Sequence, residues 1–174
     1  MKEKTGDEPA IYVGTYRKYN GGSLRGEWVD LTIYSTKEEF YSYIEHLHND
    51  EADPEYMFQD FENFPSCFYG ESCLDDRLWE WLALDDNQRE ICAVYFDNVS
   101  QEGTIEEALE RSRGTHDSKE SYARQYLQDC GSLVNLSEDL QYFFDFDLYA
   151  DNLETAGDIT FVEKGGDVYA FASC

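Results

Sequence analysis

The side chains of this sequence that could do chemistry are mostly carboxylates, and two long stretches hold them without any lysine or arginine. Residues 38–76 carry twelve acidic and no basic side chains, and residues 125–163 carry nine and none. The whole chain has 38 acidic and 13 basic residues, a formal net charge of −25. Because unopposed like charge destabilises a compact protein, we interpret this charge as serving the recognition of a partner.

Carboxylates in such numbers do not by themselves indicate catalysis. A glycoside hydrolase needs two carboxyl groups at a fixed separation in a cleft, and no motif distinguishes two of those present. The sequence has no motif of a nucleophilic triad, a phosphate-binding loop or a dinucleotide-binding fingerprint. The glycine pairs Gly21-Gly22 and Gly165-Gly166 lack the sequence context that the two phosphate-binding motifs require. We predict a protein that is not an enzyme, with no catalytic residue and no cofactor. An acidic hydrolase of unusual type stays an alternative.

Histidine is the other residue type with candidate chemistry, because imidazole and carboxylate groups are common metal ligands. His46, His48 and Asp50 are close in sequence, but side chains two residues apart on a helix diverge, and no calcium-binding loop motif is present. We expect solvated histidines on an acidic helix and no metal site. An acidic cation-binding protein with diffuse, weak sites stays an alternative.

A basic surface is the partner that these carboxylates fit best. Duplex DNA carries one charge per roughly 1.7 Å of its axis, so a net charge of −25 corresponds to about 42 Å of duplex. A folded chain of 174 residues has a diameter of about 40 Å, so the charge per unit length is similar. The sign of the charge disfavours direct nucleic-acid binding and favours imitation of DNA.

Helices provide a regular spacing for such an imitation. Carboxylates four residues apart, as in Glu106-Glu110 and Asp147-Asp151, are separated by about 6 Å along a helix axis, a scale similar to phosphate spacing along a groove. We predict that a distributed set of carboxylates imitates phosphates. The candidates are Glu38, Glu45, Asp50, Glu51, Asp53, Glu55, Asp60, Glu62, Asp75, Asp76, Asp85, Asp86, Glu106, Glu107, Glu110, Asp129, Asp145, Asp147 and Asp151.

The elements that must position these side chains begin with a β-rich segment, residues 10–34, followed by a helix. A capping box of Thr36 and Glu39 begins that helix. Its apolar stripe consists of Phe40, Tyr43, Ile44 and Leu47. Glu38 and Glu45 then lie on the opposite face, so the core forms without using the carboxylates.

The remainder of the chain is predicted to be helical and to end in a hairpin. Apolar residues repeat at helical spacing over 74–82 and 91–95, and Thr104 begins a helix that runs toward Gly114. Three further helices follow residue 116, and Gly165-Gly166 connects two closing strands. This order predicts an α+β fold. The predicted parts are a frayed N-terminus (1–9), a β-rich domain (10–70), a helical domain (71–115) and an α+β domain (116–174).

The compartment is predicted from what the sequence lacks. The N-terminus has no apolar signal-peptide core, and no apolar run approaches the roughly 20 residues of a membrane span. We expect a cytoplasmic protein without membrane contact, whose five cysteines are reduced thiols. A disulfide between Cys67 and Cys73 is the lesser alternative.

Several segments are similar to one known family. Residues 11–20, 24–31, 50–65 and 142–150 together resemble the ArdA antirestriction family, and residues 158–163 resemble its end. They read IYVGTYRKYN, LRGEWVDL, DEADPEYMFQDFENFP, YFFDFDLYA and DITFVE. The segments occur in the family's order over residues 11 to about 171, and the N-terminal ones are the most specific.

The resemblance implies a function in a bacterial host. ArdA proteins are encoded by mobile genetic elements such as conjugative plasmids, and they imitate DNA in the binding groove of type I restriction–modification enzymes. The resemblance therefore implies a homodimer that contacts the methyltransferase core without covalent chemistry. It also implies an elongated chain of three small domains with boundaries near residues 70 and 115. A DNA mimic directed at a nucleoid or repair protein stays an alternative.

The resemblance also implies a dimer interface. The family's antirestriction motif corresponds to residues 133–145, and this region is associated with dimerisation in the family. The interface candidates are Leu133, Leu136, Leu140, Tyr142 and Phe143. Asp151-Asn152 replaces the family's Arg-Asp, which removes a basic side chain close to this region.

Overall fold

The computed structural model describes residues 6–134 and 136–173, without the side chain at position 138. Part of the predicted frayed N-terminus (1–5), one motif position (135) and Cys174 lie outside the described residues. The chain divides into two compact units, Met1–Asp97 and Asn98–Cys174. Each contains a three-stranded antiparallel sheet and several helices, which confirms the α+β prediction.

The first unit is built on a sheet with strand order β2-β1-β3. Its elements are β1 (Ala10–Thr15), α1 (Tyr16–Asn20), β2 (Glu27–Asp30), α2 (Lys37–Leu47), β3 (Tyr56–Glu62), α3 (Arg77–Leu82) and α4 (Asp86–Asn98), with 3₁₀ turns at Leu31–Ile33 and Ser66–Phe68. Every residue of β1 is buried, because this strand pairs on both sides.

Aromatic side chains fill the core of the first unit. Phe40, on the predicted apolar stripe of α2, is fully buried. Its ring lies 5.4–6.1 Å from the ring centroids of Tyr34, Tyr41, Phe58 and Trp79. Glu38 and Glu45 lie exposed on the same helix. The predicted separation of apolar core and acidic surface is confirmed for this helix.

The second unit has a sheet with strand order β4-β6-β5. Its elements are α5 (Ile105–Arg111), β4 (Ser112–His116), α6 (Lys119–Asp129), α7 (Glu138–Tyr142), α8 (Phe146–Ala156), β5 (Ile159–Lys164) and β6 (Asp167–Ala172). The predicted hairpin is confirmed: β5 and β6 pair through Gly165 and Gly166, whose φ angles of 66° and 100° match the turn that favours glycine. Buried residues of α6, α8 and this hairpin form the core.

Three short elements differ from the sequence-based prediction. Helix α1 follows β1 directly, because the Thr15 hydroxyl accepts the backbone N–H of Lys18 at 3.2 Å and so begins a helix where β structure was predicted. Strands β3 and β4 were not predicted, and each is formed by pairing with a distant central strand. The division into three domains with boundaries near 70 and 115 stays a prediction.

Candidate functional site

The predicted phosphate-mimicking carboxylates are mostly at the surface of their units. All of them are exposed except Asp75 and Glu107, which are half-buried, and Glu51, which is 9% exposed. Glu51 lies inward because the Thr15 hydroxyl donates a hydrogen bond to its carboxylate at 2.7 Å. The candidates therefore differ in how much of their charge faces solvent.

Some candidates are neutralised within their own unit. Asp50 pairs with Lys18 at 2.7 Å, and Asp75 accepts two hydrogen bonds from the Arg77 guanidinium. Hydrogen bonds from Lys18 and Arg77 lower the pKa of these two carboxyl groups. Asp76, Asp86 and Glu107 also form ion pairs, with Lys37, Arg89 and Arg111 respectively. A partner that contacts these carboxylates competes with a basic side chain already present.

Apart from Glu51, whose carboxylate lies 3.5 Å from the Lys18 ammonium, twelve of the other candidates form a set that we call the open carboxylates, which make no ion pair with a lysine or arginine of the described residues. They are Glu38, Glu45, Asp53, Glu55, Asp60, Asp85, Glu106, Glu110, Asp129, Asp145, Asp147 and Asp151. Three of them accept a neighbouring backbone N–H at 2.9 Å: Asp60, Asp85 and Asp145. Backbone hydrogen bonding orients these groups without neutralising them.

The open carboxylates are spaced by regular structure in both units. Glu38 and Glu45 belong to α2, Glu106 and Glu110 to α5, and Asp147 and Asp151 to α8. The four-residue separation of the last two pairs corresponds to about 6 Å along each helix axis. This arrangement suits electrostatic binding to a basic surface, because many separated charges share the contact.

The dimer-interface candidates divide into a buried and an exposed group. Leu133 belongs to the core of the second unit, and Leu136 packs against that core. In contrast, Leu140, Tyr142 and Phe143 are 58%, 84% and 79% exposed. Large apolar side chains exposed to this extent are typical of an interaction surface.

Two further exposed side chains were not selected from the sequence: Val134 and Leu148. Val134 lies inside the predicted antirestriction motif, so the motif could have indicated it. Leu148 lies on α8 outside the helical repeat that contains the buried Phe146 and Ala150, so periodicity could have indicated its exposure. We call Val134, Leu140, Tyr142, Phe143 and Leu148 the exposed apolar group.

The expectation of two solvated histidines is wrong for one of them. His46 is exposed, whereas His48 is buried at 1% exposure directly after the last turn of α2. Its Nδ1 lies 2.9 Å from the Lys18 ammonium. His48 lies four residues after Ile44 and eight after Phe40, so it continues the buried face of α2, and helical periodicity could have indicated its burial.

The described residues give no indication of a metal site or of a membrane-spanning helix. Within the ranges 6–134 and 136–173, no cluster of three or more histidine, cysteine or acidic side chains has an arrangement suited to a metal ion. Across the same ranges, no helix has the length and apolar character needed to cross a membrane.

A comparison with protein families identifies the family of this chain. The family described as antirestriction protein (ArdA) matches residues 11–168 of the 174-residue chain. The chain belongs to the ArdA antirestriction family. The match includes both acidic stretches and the whole of residues 133–145, and it confirms the resemblance found in the sequence. ArdA membership implies an antirestriction function and an interaction with restriction–modification enzymes. A comparison with curated proteins gave no match.

Proposed function

We propose that this ArdA-family chain imitates the charge and spacing of duplex DNA and competitively blocks the DNA-binding groove of type I restriction–modification enzymes. The observation that carries the proposal is the set of open carboxylates, which is distributed over both units. Lysine and arginine side chains that bind DNA phosphates supply most non-specific affinity for DNA. The same side chains are available to exposed carboxylates, so the protein and DNA compete for one groove.

The mechanism is electrostatic and steric, without covalent chemistry. Binding to the methyltransferase core releases counterions from both surfaces, as DNA binding does, so the affinity of the protein for the groove falls as salt increases. Each exposed contact contributes little, roughly 0.2–1 kcal/mol, and the affinity arises from their number. Neutralising carboxylates should therefore reduce inhibition gradually, in proportion to the open ones removed.

We further propose that the protein acts as a homodimer in the cytoplasm of a bacterial host. The exposed side chains of Leu140, Tyr142 and Phe143, together with Val134 and Leu148, support this proposal. Their burial against a second copy would remove apolar surface from water and join two sets of open carboxylates. A dimer would then present a longer acidic surface than one chain.

A competition titration tests the proposed function. Labelled duplex DNA is held on a type I methyltransferase core, the protein is added at several salt concentrations, and fluorescence anisotropy reports displacement. An unrelated protein of similar net charge is the control. We expect displacement at far lower concentration than the control requires. Displacement no better than the control would show that the protein acts on this enzyme as a simple polyanion, and it would favour another DNA-binding protein as the target.

Two matched quadruple variants test the role of the open carboxylates. The first neutralises Glu38, Glu45, Asp147 and Asp151 as Gln or Asn. The second neutralises the ion-paired Asp76, Asp86, Glu120 and Glu154. Each variant changes two Asp and two Glu, two from each unit, so the change in net charge is identical. We expect the first to weaken displacement about tenfold and the second much less. Equal losses would contradict the special role of the open set.

A further inference from the structure

One buried cation lies among acidic groups in the first unit. The Lys18 side chain is 12% exposed, and its ammonium is 2.9 Å from His48 Nδ1, 2.7 Å from Asp50 Oδ1 and 3.5 Å from Glu51 Oε1. These three partners follow one another closely at the end of α2. A lysine on α1 therefore holds the chain where α2 stops.

Thr15 connects the same segment to the central strand of the sheet. Its fully buried hydroxyl donates to Glu51 at 2.7 Å and accepts the Lys18 backbone N–H at 3.2 Å. The Tyr16 backbone N–H also donates to the Glu55 carbonyl at 3.0 Å. The end of β1 and helix α1 thus contact residues 48–55 at both ends of this segment.

Residues 48–55 join α2 to β3 and contain neither a helix nor a strand. This acidic segment carries two open carboxylates, Asp53 and Glu55, together with Asp50 and Glu51. Without a ladder of backbone hydrogen bonds, its conformation depends on side-chain contacts such as those of Lys18 and Thr15.

We propose that Lys18 is a positioning residue for inhibition: its bonds to neutral His48, Asp50 and Glu51 hold the acidic segment 48–55 in its binding conformation, and protonation of His48 releases that segment. The proposal rests on the proposed function, because inhibition is its biological readout. It assigns a lysine a positive role in an inhibitor whose overall charge is strongly negative.

The chemistry of the contact requires a neutral imidazole. An ammonium group only donates, so Nδ1 must accept and the ring proton must be on Nε2. Protonated His48 would lose this acceptor and place two cations 2.9 Å apart in a buried site. The groups that face His48 are Lys18 from α1, Asp50 and Glu51 from the segment itself, the Tyr56 ring from β3 and the Val13 carbonyl from β1.

The direction of the pH effect follows from the surroundings of His48. Burial lowers the pKa of His48 most, and Lys18 lowers it further, against the opposing effects of the Val13 carbonyl, Asp50 and Glu51. The unfolded chain therefore binds the proton more readily than the folded one, starting near the ordinary histidine value of 6.5. The contact contributes its full stability above about pH 6.5 and loses it as the pH falls toward the lower folded pKa.

A pair of lysine and arginine variants separates positioning from net charge. Lys18→Met and Arg17→Met each remove one positive charge, but Arg17 is exposed, whereas Lys18 is largely enclosed. If only net charge mattered, both variants would displace DNA slightly better than wild type. We expect Lys18→Met to displace DNA about tenfold less well, a typical effect of lost preorganisation, and Arg17→Met to match wild type. Equal behaviour of the two variants would overturn the proposal.

Hydrogen exchange of residues 48–55 provides a readout that does not depend on inhibition. Protection factors, corrected for the intrinsic pH dependence of exchange, should fall in wild type between pH 7.5 and 5.5. In His48→Asn the amide Oδ1 takes the position of Nδ1 and still accepts from Lys18 but does not titrate, so protection should stay constant over this range. An identical fall in both proteins would overturn the role of His48.

A titration of the wild-type protein avoids any variant that fails to fold. NMR should show His48 titrating below the ordinary histidine value of 6.5, with amide shifts in residues 48–55 following His48. Shifts in this segment that do not follow His48 would contradict the proposal. If wild type does not displace DNA but its segment loosens with His48, the proposed function fails while the positioning contact stands.

Discussion

The two units of this protein carry a similar excess of negative charge but differ in their apolar surface. The first has 22 acidic and 8 basic residues, and the second has 16 and 5. Among described residues, the large exposed apolar side chains of the first unit are Tyr19, Leu24 and Ile33. The second exposes Tyr126 and the exposed apolar group. Both units thus carry strong acidic charge, whereas the second exposes more large apolar side chains than the first.

The difference arises from how each unit uses its aromatic residues. In the first, Phe40 and Phe58 pack between sheet and helices. In the second, Tyr142 ends the five-residue helix α7 and Phe143 follows it, and their rings, 5.3 Å apart, face solvent beside each other. The comparison indicates that aromatic content alone does not measure the size of a core. Some of these rings are available for assembly.

The strongest test of this comparison is the same substitution in each unit. Phe40→Ala removes a buried ring and should lower the free energy of unfolding by about 3–5 kcal/mol. Phe143→Ala removes a ring that is exposed in a single chain, and it should change this free energy by no more than about 0.5 kcal/mol when wild type and variants are measured at a concentration low enough for the dimer to dissociate. Urea denaturation measures both, since guanidinium would also screen the charges. Similar losses would show that Phe143 belongs to a core.

Dimerisation should be sensitive to Phe143→Ala and insensitive to Phe40→Ala, the reverse of the order expected for stability. Phe143→Ala should weaken dimerisation in sedimentation equilibrium, whereas Phe40→Ala should leave the folded fraction as dimeric as wild type. A dimer unaffected by Phe143→Ala would place the interface outside the exposed apolar group.

A smaller effect tests whether the helices of the two units begin by the same mechanism. Thr36 accepts the Glu39 backbone N–H at 3.2 Å, and Thr104 accepts that of Glu107 at 3.1 Å. Replacing either threonine with alanine should lower the free energy of unfolding by about 1 kcal/mol. Thr→Ser at each site is the matched control and should retain most of the stability. A loss at only one site would show that the caps are not equivalent.

The smallest expected effect concerns salt, which should act on both units because both are strongly negative. Screening shortens the range of repulsion to about 10 Å at 0.1 M salt, so moderate NaCl should stabilise the fold. We expect the melting temperature to rise by a few degrees, roughly the effect of 1 kcal/mol in a protein of this size. Equal concentrations of a neutral osmolyte are the control. A steady fall with added NaCl would contradict the prediction.

Local sequence signals predicted the parts of the fold that depend on neighbouring residues. The caps at Thr36, Thr104 and Ser137 all begin helices, and the Gly165-Gly166 turn connects a hairpin. Strands β3 and β4 depend instead on partners distant in sequence. β4 contains serine, arginine, glycine and histidine, and its pairing with β6, more than fifty residues later, creates the strand.

The same limit applies to the candidate site. The acidic stretches, the candidate carboxylates and the family were accessible from sequence, because they depend on residue types and their order. The distinction between open and neutralised carboxylates was not, since Asp50 pairs with a lysine 32 residues away and Asp76 with one 39 residues away. The hydrogen bond between His48 and Lys18, thirty residues apart, is the same kind of distant contact.

The position of the central strand in each sheet has a consequence for synthesis on the ribosome. In the first unit, the central strand β1 is made first, so one of its edges stays unpaired until β3 emerges. In the second unit, the central strand β6 is made after both of its neighbours, so no strand of that sheet pairs before it appears. Unpaired edges promote association between chains, and the strong negative charge of the nascent chain opposes this by repulsion. The charge on which the proposed function depends therefore also protects the chain while it is being made.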